Sequence, residues 1–467
     1  MMKKTAASKQ RLSVLLGTIL LLATILSACS GGKSTGDLGS GTNSGGDSGN
    51  TGGKTEQVTI THYTIDSPDR TFIEELIPEF EATHPNIKVK VEKAPYEQFD
   101  SKLQTLIAGG NSPDVTSHYG YGGFAEYYNK DMLLDLTDLM AEDGFNADDY
   151  SIPSHLMDIY KVNDRTYGIP VNIYVTLMLY NKDMFDAAGV PYPPSDFEDK
   201  SWTFEKMVED AKQMTVISDD IAKTQYGVDF TWAERDMRPL YFGAEPYSAD
   251  TWTNGGVPSE THFDSPEVIA AYNKLFGLIF KDKVSPNSEW SKSVAGQNGD
   301  PFVAGKIGMS VGGSWNLAGA NDFPFKIGVA AVPWGGNDKV RSTLFVDPLL
   351  ILKDSKHPKE AFEWIKFLLT DDVQEKSIEL SGGNPPVNTK AAETYYKHFE
   401  GIDPEDVKKV YEGATKYGFE SYNHLVTNYS QINDMFINEM QPIETGHKTV
   451  EEVMPTIQAK ITEILKR

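Results

Sequence analysis

From residue 58 onward the chain alternates two hydrophobic rhythms, and this alternation restricts its fold more than any other feature. Residues 58–63 carry β-formers at every second position, and Asp66, Ser67, Pro68 and Asp69 follow as a turn and helix start. Phe72, Ile73, Leu76, Ile77 and Phe80 then recur at helical spacing, in a helix that Pro78 is expected to kink and His84-Pro85-Asn86 to stop. Ile87, Val89 and Val91 alternate with Lys88 and Lys90 as a second strand with one buried face. Phe99, Leu103, Leu106 and Ile107 mark a second helix, closed by Gly109-Gly110 as a left-handed cap requires. Pro113-Asp114-Val115 opens a third strand. Strand and helix taking turns at this spacing predict an α/β chain with a mainly parallel sheet and ligands at the carboxyl ends of its strands.

Further along, the apolar run 171–179 reads as a long strand crossing between lobes, and the segments 325–329 and 381–386 as candidate return crossings. Helical patterns cover 204–214 and 268–280. Another helix opens at Pro358, where proline's missing donor costs nothing, and carries Ala361, Phe362, Ile365 and Leu369. The chain ends on an amphipathic helix with Val450, Val453, Met454, Ile457, Ile461 and Ile464 on one face. Residues 56–467 are too many for one compact core and suit two lobes.

The amino end is built differently. Lys3, Lys4, Lys9 and Arg11 precede an uncharged, leucine-rich run to Ala28, the construction of a secretory signal and too short for a comfortable membrane span. It ends in Leu26-Ser27-Ala28-Cys29, the only cysteine among 467 residues. That ending resembles the lipobox of bacterial lipoproteins, which implies a signal peptide over 1–28 and a lipid on Cys29 that anchors the protein to a membrane. Residues 30–55 are glycine-rich and hold no aromatic residue, too little apolar surface to fold. Such a coil reaches about 28 Å, enough to hold a folded body clear of a surface. The formal charge of −24 repels nucleic acid and disfavours strongly acidic ligands, leaving neutral or cationic solutes.

The motifs Leu76-Ile-Pro-Glu-Phe80, His84-Pro-Asn-Ile-Lys-Val89, Leu106-Ile-Ala-Gly109, Ser112-Pro-Asp-Val115, Tyr167-Gly-Ile-Pro170, Leu179-Tyr-Asn-Lys-Asp183, Phe302-Val-Ala-Gly-Lys-Ile-Gly-Met309 and Gly313-Ser-Trp315 occur in a telling order and spacing. Taken together, the chain resembles family 1 extracellular solute-binding proteins of ABC importers, of the sugar-binding type. The resemblance implies a two-lobed, periplasmic-binding-protein-like fold of type II, each lobe a mainly parallel sheet flanked by helices, joined by crossing hinge strands. One lobe is expected over 56–168 plus 327–381 and the other over 169–326 plus 382–467. It also implies a carbohydrate ligand, an ABC permease as partner, and a monomer on the extracellular face of the cell membrane without cofactor or metal.

A sugar presents apolar C–H faces and a rim of hydroxyls, so its site needs flat aromatic walls with polar groups at their edges. Tyr63, Asp66 and Asp69 stand after the first strand, and His118, Tyr119 and Tyr121 after the third on a glycine-rich loop. Asn172 and Tyr174 lie on the first crossing; the resemblance places a ligand-contacting side chain at Tyr174 and a stacking tryptophan at Trp315. Trp232, Arg235, Trp252, Trp334 and Asp347 are further candidates.

Enzyme readings find less support. Gly120-Tyr-Gly122-Gly-Phe-Ala125 fits a loose dinucleotide pattern but does not follow an apolar strand. Asn316 stands where a nucleophile elbow needs glycine. The nine histidines are scattered from His62 to His447, so zinc is unsupported. A surface carbohydrate hydrolase or lyase, and a ligand-sensing subunit for a membrane kinase, are the alternatives to transport.

Overall fold

The computed structural model describes residues 57–294 and 300–466; Cys29, the signal and the tether lie outside the described residues. The opening alternation folds as its periodicity dictates. β1 (Val58–Ile65) pairs in parallel with β2 (Ile87–Ala94) and β3 (Val115–Thr116), and helices Phe72–Thr83 and Phe99–Ala108 connect them. Gly110 takes a φ of +73°, the left-handed closure that the glycine pair was expected to supply.

After a short hairpin of β4 (Lys161–Val162) and β5 (Arg165–Thr166) comes β6 (Ile169–Asn181), buried along its whole length. The later strands are β7 (Tyr226–Phe230), β8 (Ile307–Gly313), β9 (Ile327–Ala330), β10 (Ser342–Ile351) and β11 (Gly418–Glu420). They complete one twisted sheet in the order β2-β1-β3-β10-β6-β8-β7, with β9 also on β6 and β11 on β10.

The sheet is mixed. Parallel pairing is kept within each half, at β1–β2, β1–β3 and β7–β8, while β10 runs antiparallel to both β3 and β6, and β6 antiparallel to β8. The reason is topological: a strand that carries the chain from one half to the other must be answered by one that brings it back.

The segment expected as a return crossing at 325–329 is β9, paired with the distal half of β6 beside β8. The return is made by β10, whose far end reaches β3. Pro348 of β10 and Pro170 of β6 face each other in the ladder, and the register shifts between Asp347 and Pro348. A proline cannot donate to a ladder, so Asp347-Pro348 looks like a turn in sequence although a bulge absorbs it in the sheet. Elsewhere helices Pro358–Leu369 and Asp371–Ser381 lie on the first half, while Tyr429–Glu444 pairs with Val450–Leu465, which also packs on Pro266–Phe280. Thr449 and Glu452 cap the last helix reciprocally.

Candidate functional site

Two strands of the first half present aromatic rings from their carboxyl ends. Tyr96 follows β2 and Tyr121 follows β3, with 41% and 39% of their surfaces exposed and their rings edge to face at 5.6 Å. The Asp100 carboxylate fixes the loop that bears Tyr121. It accepts the backbone N–H groups of Tyr121 and Gly122 at 3.0 and 2.9 Å and the Tyr127 hydroxyl at 2.6 Å. Tyr96 in turn donates its hydroxyl to the Gly120 carbonyl at 3.0 Å. These tyrosines are anchored through their backbone or phenol oxygen, so their ring surfaces stay available.

The second half answers with Trp315, 48% exposed on the turn after β8. One side of the indole lies on Gly313, where any β-carbon would overlap the ring. Its edges meet Phe345 at 5.0 Å and Tyr174 at 6.3 Å. The Ser314 hydroxyl oxygen accepts the Val175 N–H at 3.1 Å, tying this turn to the crossing strand. Between the two aromatic walls is a cavity of about 220 Å³. Glu234, Arg235 and Asn423 supply its polar edges. Burial pushes the Glu234 carboxyl up despite a 2.8 Å hydrogen bond from Ser421. The buried Asn423 Oδ1 has no hydrogen-bond partner among the described residues, which leaves an acceptor at the cavity wall.

Behind the walls a polar cluster joins the first half to both crossing strands. Arg70, just after β1, reaches Asp347 at 2.9 Å, Asn172 at 3.4 Å and the Tyr174 hydroxyl at 3.4 Å, while its guanidinium lies 4.8 Å from the centre of the Tyr119 ring. The Tyr174 hydroxyl donates to Asn384 at 2.8 Å, and Asn172 donates to the Pro385 carbonyl at 3.1 Å. The segment 381–386 thus docks on the crossing.

The residues singled out in the sequence therefore fall into three groups. Tyr121, Arg235 and Trp315 line the cavity, and Trp232 lies beneath it with 1% exposure and its indole N–H donated to the Arg341 carbonyl. Tyr119, Asn172, Tyr174 and Asp347 belong to the Arg70 cluster. The remainder stand apart. Tyr63 is core, its hydroxyl on the Phe99 carbonyl at 3.0 Å, and Asp66 is exposed at the end of β1. His118 is buried 3.2 Å from the Tyr160 hydroxyl and against His424, and burial lowers its pKa to about 3, so it is neutral. Trp334 donates to Asp338 at 3.0 Å under the Lys200 ammonium, away from the cavity.

Sequence reasoning missed Tyr96, Arg70, Phe345 and Asn423. For Tyr96 a signal was present: it stands at the carboxyl end of β2 as Tyr121 does at that of β3.

A larger cavity, about 560 Å³, opens on the other face of β6, where Ile173 rather than Tyr174 points. Its Tyr395 and Tyr411 are buried with their hydroxyls bonded to one another, so neither offers a ring face to a ligand. Among the described residues no cluster of three or more His, Cys, Asp or Glu side chains is disposed to hold a metal ion.

A family model described as bacterial extracellular solute-binding protein matches residues 65–375. The multiple sugar-binding protein of Streptococcus mutans is 24% identical over 390 residues, covering 80% of this chain and 82% of that protein. The arabinooligosaccharide-binding protein of Bacillus subtilis is 28% identical over 189 residues, 39% of this chain and 37% of its own. An ABC substrate-binding protein from Listeria monocytogenes, solved in complex with cycloalternan, shares the fold at a TM-score of 0.73 and 25% identity, over 88% of this chain and 100% of the other. Maltose-bound MalE3 of T. maritima gives 0.66 at 22% identity, over 87% of this chain and 100% of its own. The fold is the two-lobed α/β arrangement of type II that the sequence led us to expect.

Proposed function

Because the chain belongs to the bacterial extracellular solute-binding proteins, we propose that it captures an oligosaccharide between its lobes and hands it to an ABC permease. The observation that carries this reading is Trp315, an indole with one side held on Gly313 and 48% of its surface exposed, facing Tyr96 and Tyr121 across the cavity. Such rings suit the C–H faces of a pyranose, and Glu234 and Asn423 suit its hydroxyls. The sugar ligands named for relatives from Streptococcus mutans and Listeria monocytogenes point the same way.

The aromatic groups come from both lobes, which is the condition for a ligand to drive closure; one that touched a single lobe would shift nothing. The pairing of β9 with β6 supports a lobe division at β6 and β10, so that 327–341 goes with the second lobe. A monomer held on the extracellular face of the cell membrane by a lipid on Cys29 completes the proposal. Binding without hydrolysis is favoured because Glu234 is the one carboxylate among the described residues lining the cavity, whereas glycoside cleavage uses two in opposition.

Calorimetry against neutral oligosaccharides of two to four units tests the reading, with X-ray scattering of the same samples. One saccharide should bind and contract the scattering envelope. Binding of a peptide or polyamine and of no saccharide would overturn the ligand class, and released product would favour a hydrolase.

A further inference from the structure

The cleft does not end at Trp315. Thr231, Arg235 and Arg238, on the loop after β7, line the 220 Å³ cavity and also a neighbouring one of about 300 Å³. Helix Pro266–Phe280 and the segment 285–292 bound this second space, bringing Ser285, Ser288, Ser291 and Lys292 to its wall.

Its charges do not cancel. Arg235, Arg238 and Lys292 line it against Asp229 and Glu444, a local excess of positive charge in a chain of net charge −24. Glu444 is committed to Arg235, with Oε1 3.4 Å from Nε. Asp229 pairs with neither remaining cation among the described residues; burial and the neighbouring Asp300 push its carboxyl up to about 6, so it still counts as one negative charge at neutral pH. Arg238 donates Nε to the Ala233 carbonyl at 3.1 Å and makes no ion pair among the described residues; neither does Lys292. Burial and the adjacent Arg235 work against the Arg238 charge, while Glu444 and Asp229 support it from a distance. Arg238 is half-buried with no carboxylate in direct contact among the described residues, and its planar fork matches one.

We propose that this second cavity is an anion-accepting compartment of the cleft, which holds the carboxylate of a uronic-acid unit on Arg238 while the neighbouring sugar stacks on Trp315. The proposal rests on the saccharide reading above and narrows its ligand class. Shared residues put the two cavities side by side, as adjacent units of one oligosaccharide require. The overall negative charge is no obstacle at contact distance, because screening limits its reach to about 8 Å at physiological salt. It slows the approach of an acidic sugar without weakening the contact once made.

The test compares neutral gluco-, galacto- and manno-oligosaccharides of two to four units with their C6-oxidised uronate forms by calorimetry. At least one uronate form should bind at least tenfold more tightly than its neutral parent, and the preference should shrink as salt is raised. Arg238→Gln should bring the ratio of the two affinities close to one. Lys292→Gln, in the second cavity alone, should weaken uronate binding severalfold, and by a larger factor than it weakens binding of the neutral parent. Neutral forms that bind as well as or better than every uronate form would overturn this inference and leave the saccharide reading standing. Failure of both classes to bind would overturn the two together.

Discussion

Arg70 and Asp347 meet at 2.9 Å with only 6% and 11% of their side chains exposed, and they join the end of the first strand to the middle of the returning one. The same guanidinium reaches Asn172 and Tyr174 on the outgoing strand. One side chain from the segment after β1 therefore touches both crossing strands. The bulge at Asp347-Pro348 turns the carboxylate toward it.

Removing one partner of a buried pair leaves the other uncompensated. Arg70→Met should cost about 3–5 kcal/mol of stability, and Asp347→Asn less, because the amide still accepts a hydrogen bond. The double variant should cost less than the two single changes added together. Denaturant unfolding followed by tryptophan fluorescence measures all three; strict additivity would show that the pair is not coupled.

Trp315→Ala should weaken saccharide binding by about 1–3 kcal/mol, as truncation of an aromatic anchor does. Half of the ring is exposed, so thermal stability should fall little. Calorimetry and a melting curve on the same variant separate the two effects. Unchanged affinity with a large drop in melting temperature would return the ring to the core.

How far the site could be read from sequence follows from what each residue's neighbours reveal. Trp315 was legible because glycine and serine precede it, and a ring after such residues has no packed strand to enter. Tyr121 was legible for the same reason. Trp232, a weaker candidate that follows Phe230-Thr231 with no glycine beside it, adopts a φ of +56°, and its indole turns inward to the Arg341 carbonyl. Nothing local announces that choice. Arg70 was invisible because its partners lie 102 to 277 residues away. β10 escaped because proline and aspartate in mid-strand imitate a turn, and only the facing Pro170 and the arginine beyond explain them. The strands and helices that were legible, from β1 to Phe99–Ala108 and again at Phe204–Met214 and Val450–Leu465, owe their form to local periodicity.

Cys29→Ala should move the protein from the membrane to the soluble fraction of fractionated cells while leaving saccharide affinity unchanged, since Cys29 precedes the first strand, which opens at Val58, by the whole glycine-rich stretch in sequence. A variant still held at the membrane would rule out attachment through that thiol.

Asp236 makes the last prediction, and its sign can be worked out. The carboxyl is buried between the hydroxyls of Tyr247 and Tyr429, each donating at 2.8 Å, yet burial outweighs them and holds its pKa up at about 7 against an ordinary 3.8. Between those values the folded protein keeps a proton that the unfolded chain releases. Stability from this group is therefore fully present below about pH 4, falls as the pH rises toward 7, and is flat above it. Asp236→Asn is nearly the same shape and cannot titrate. Its melting temperature relative to wild type should climb between pH 4 and 7, from equal or lower at the acid end to higher at pH 8. Asp229 and Glu420 are common to both proteins and drop out of the difference; Glu234, whose charge helps hold the Asp236 carboxyl up, adds to the effect only in the wild type. A difference that stays level across that range, or falls, would mean that Asp236 is already ionised in the fold and that its two tyrosine donors prevail over its burial.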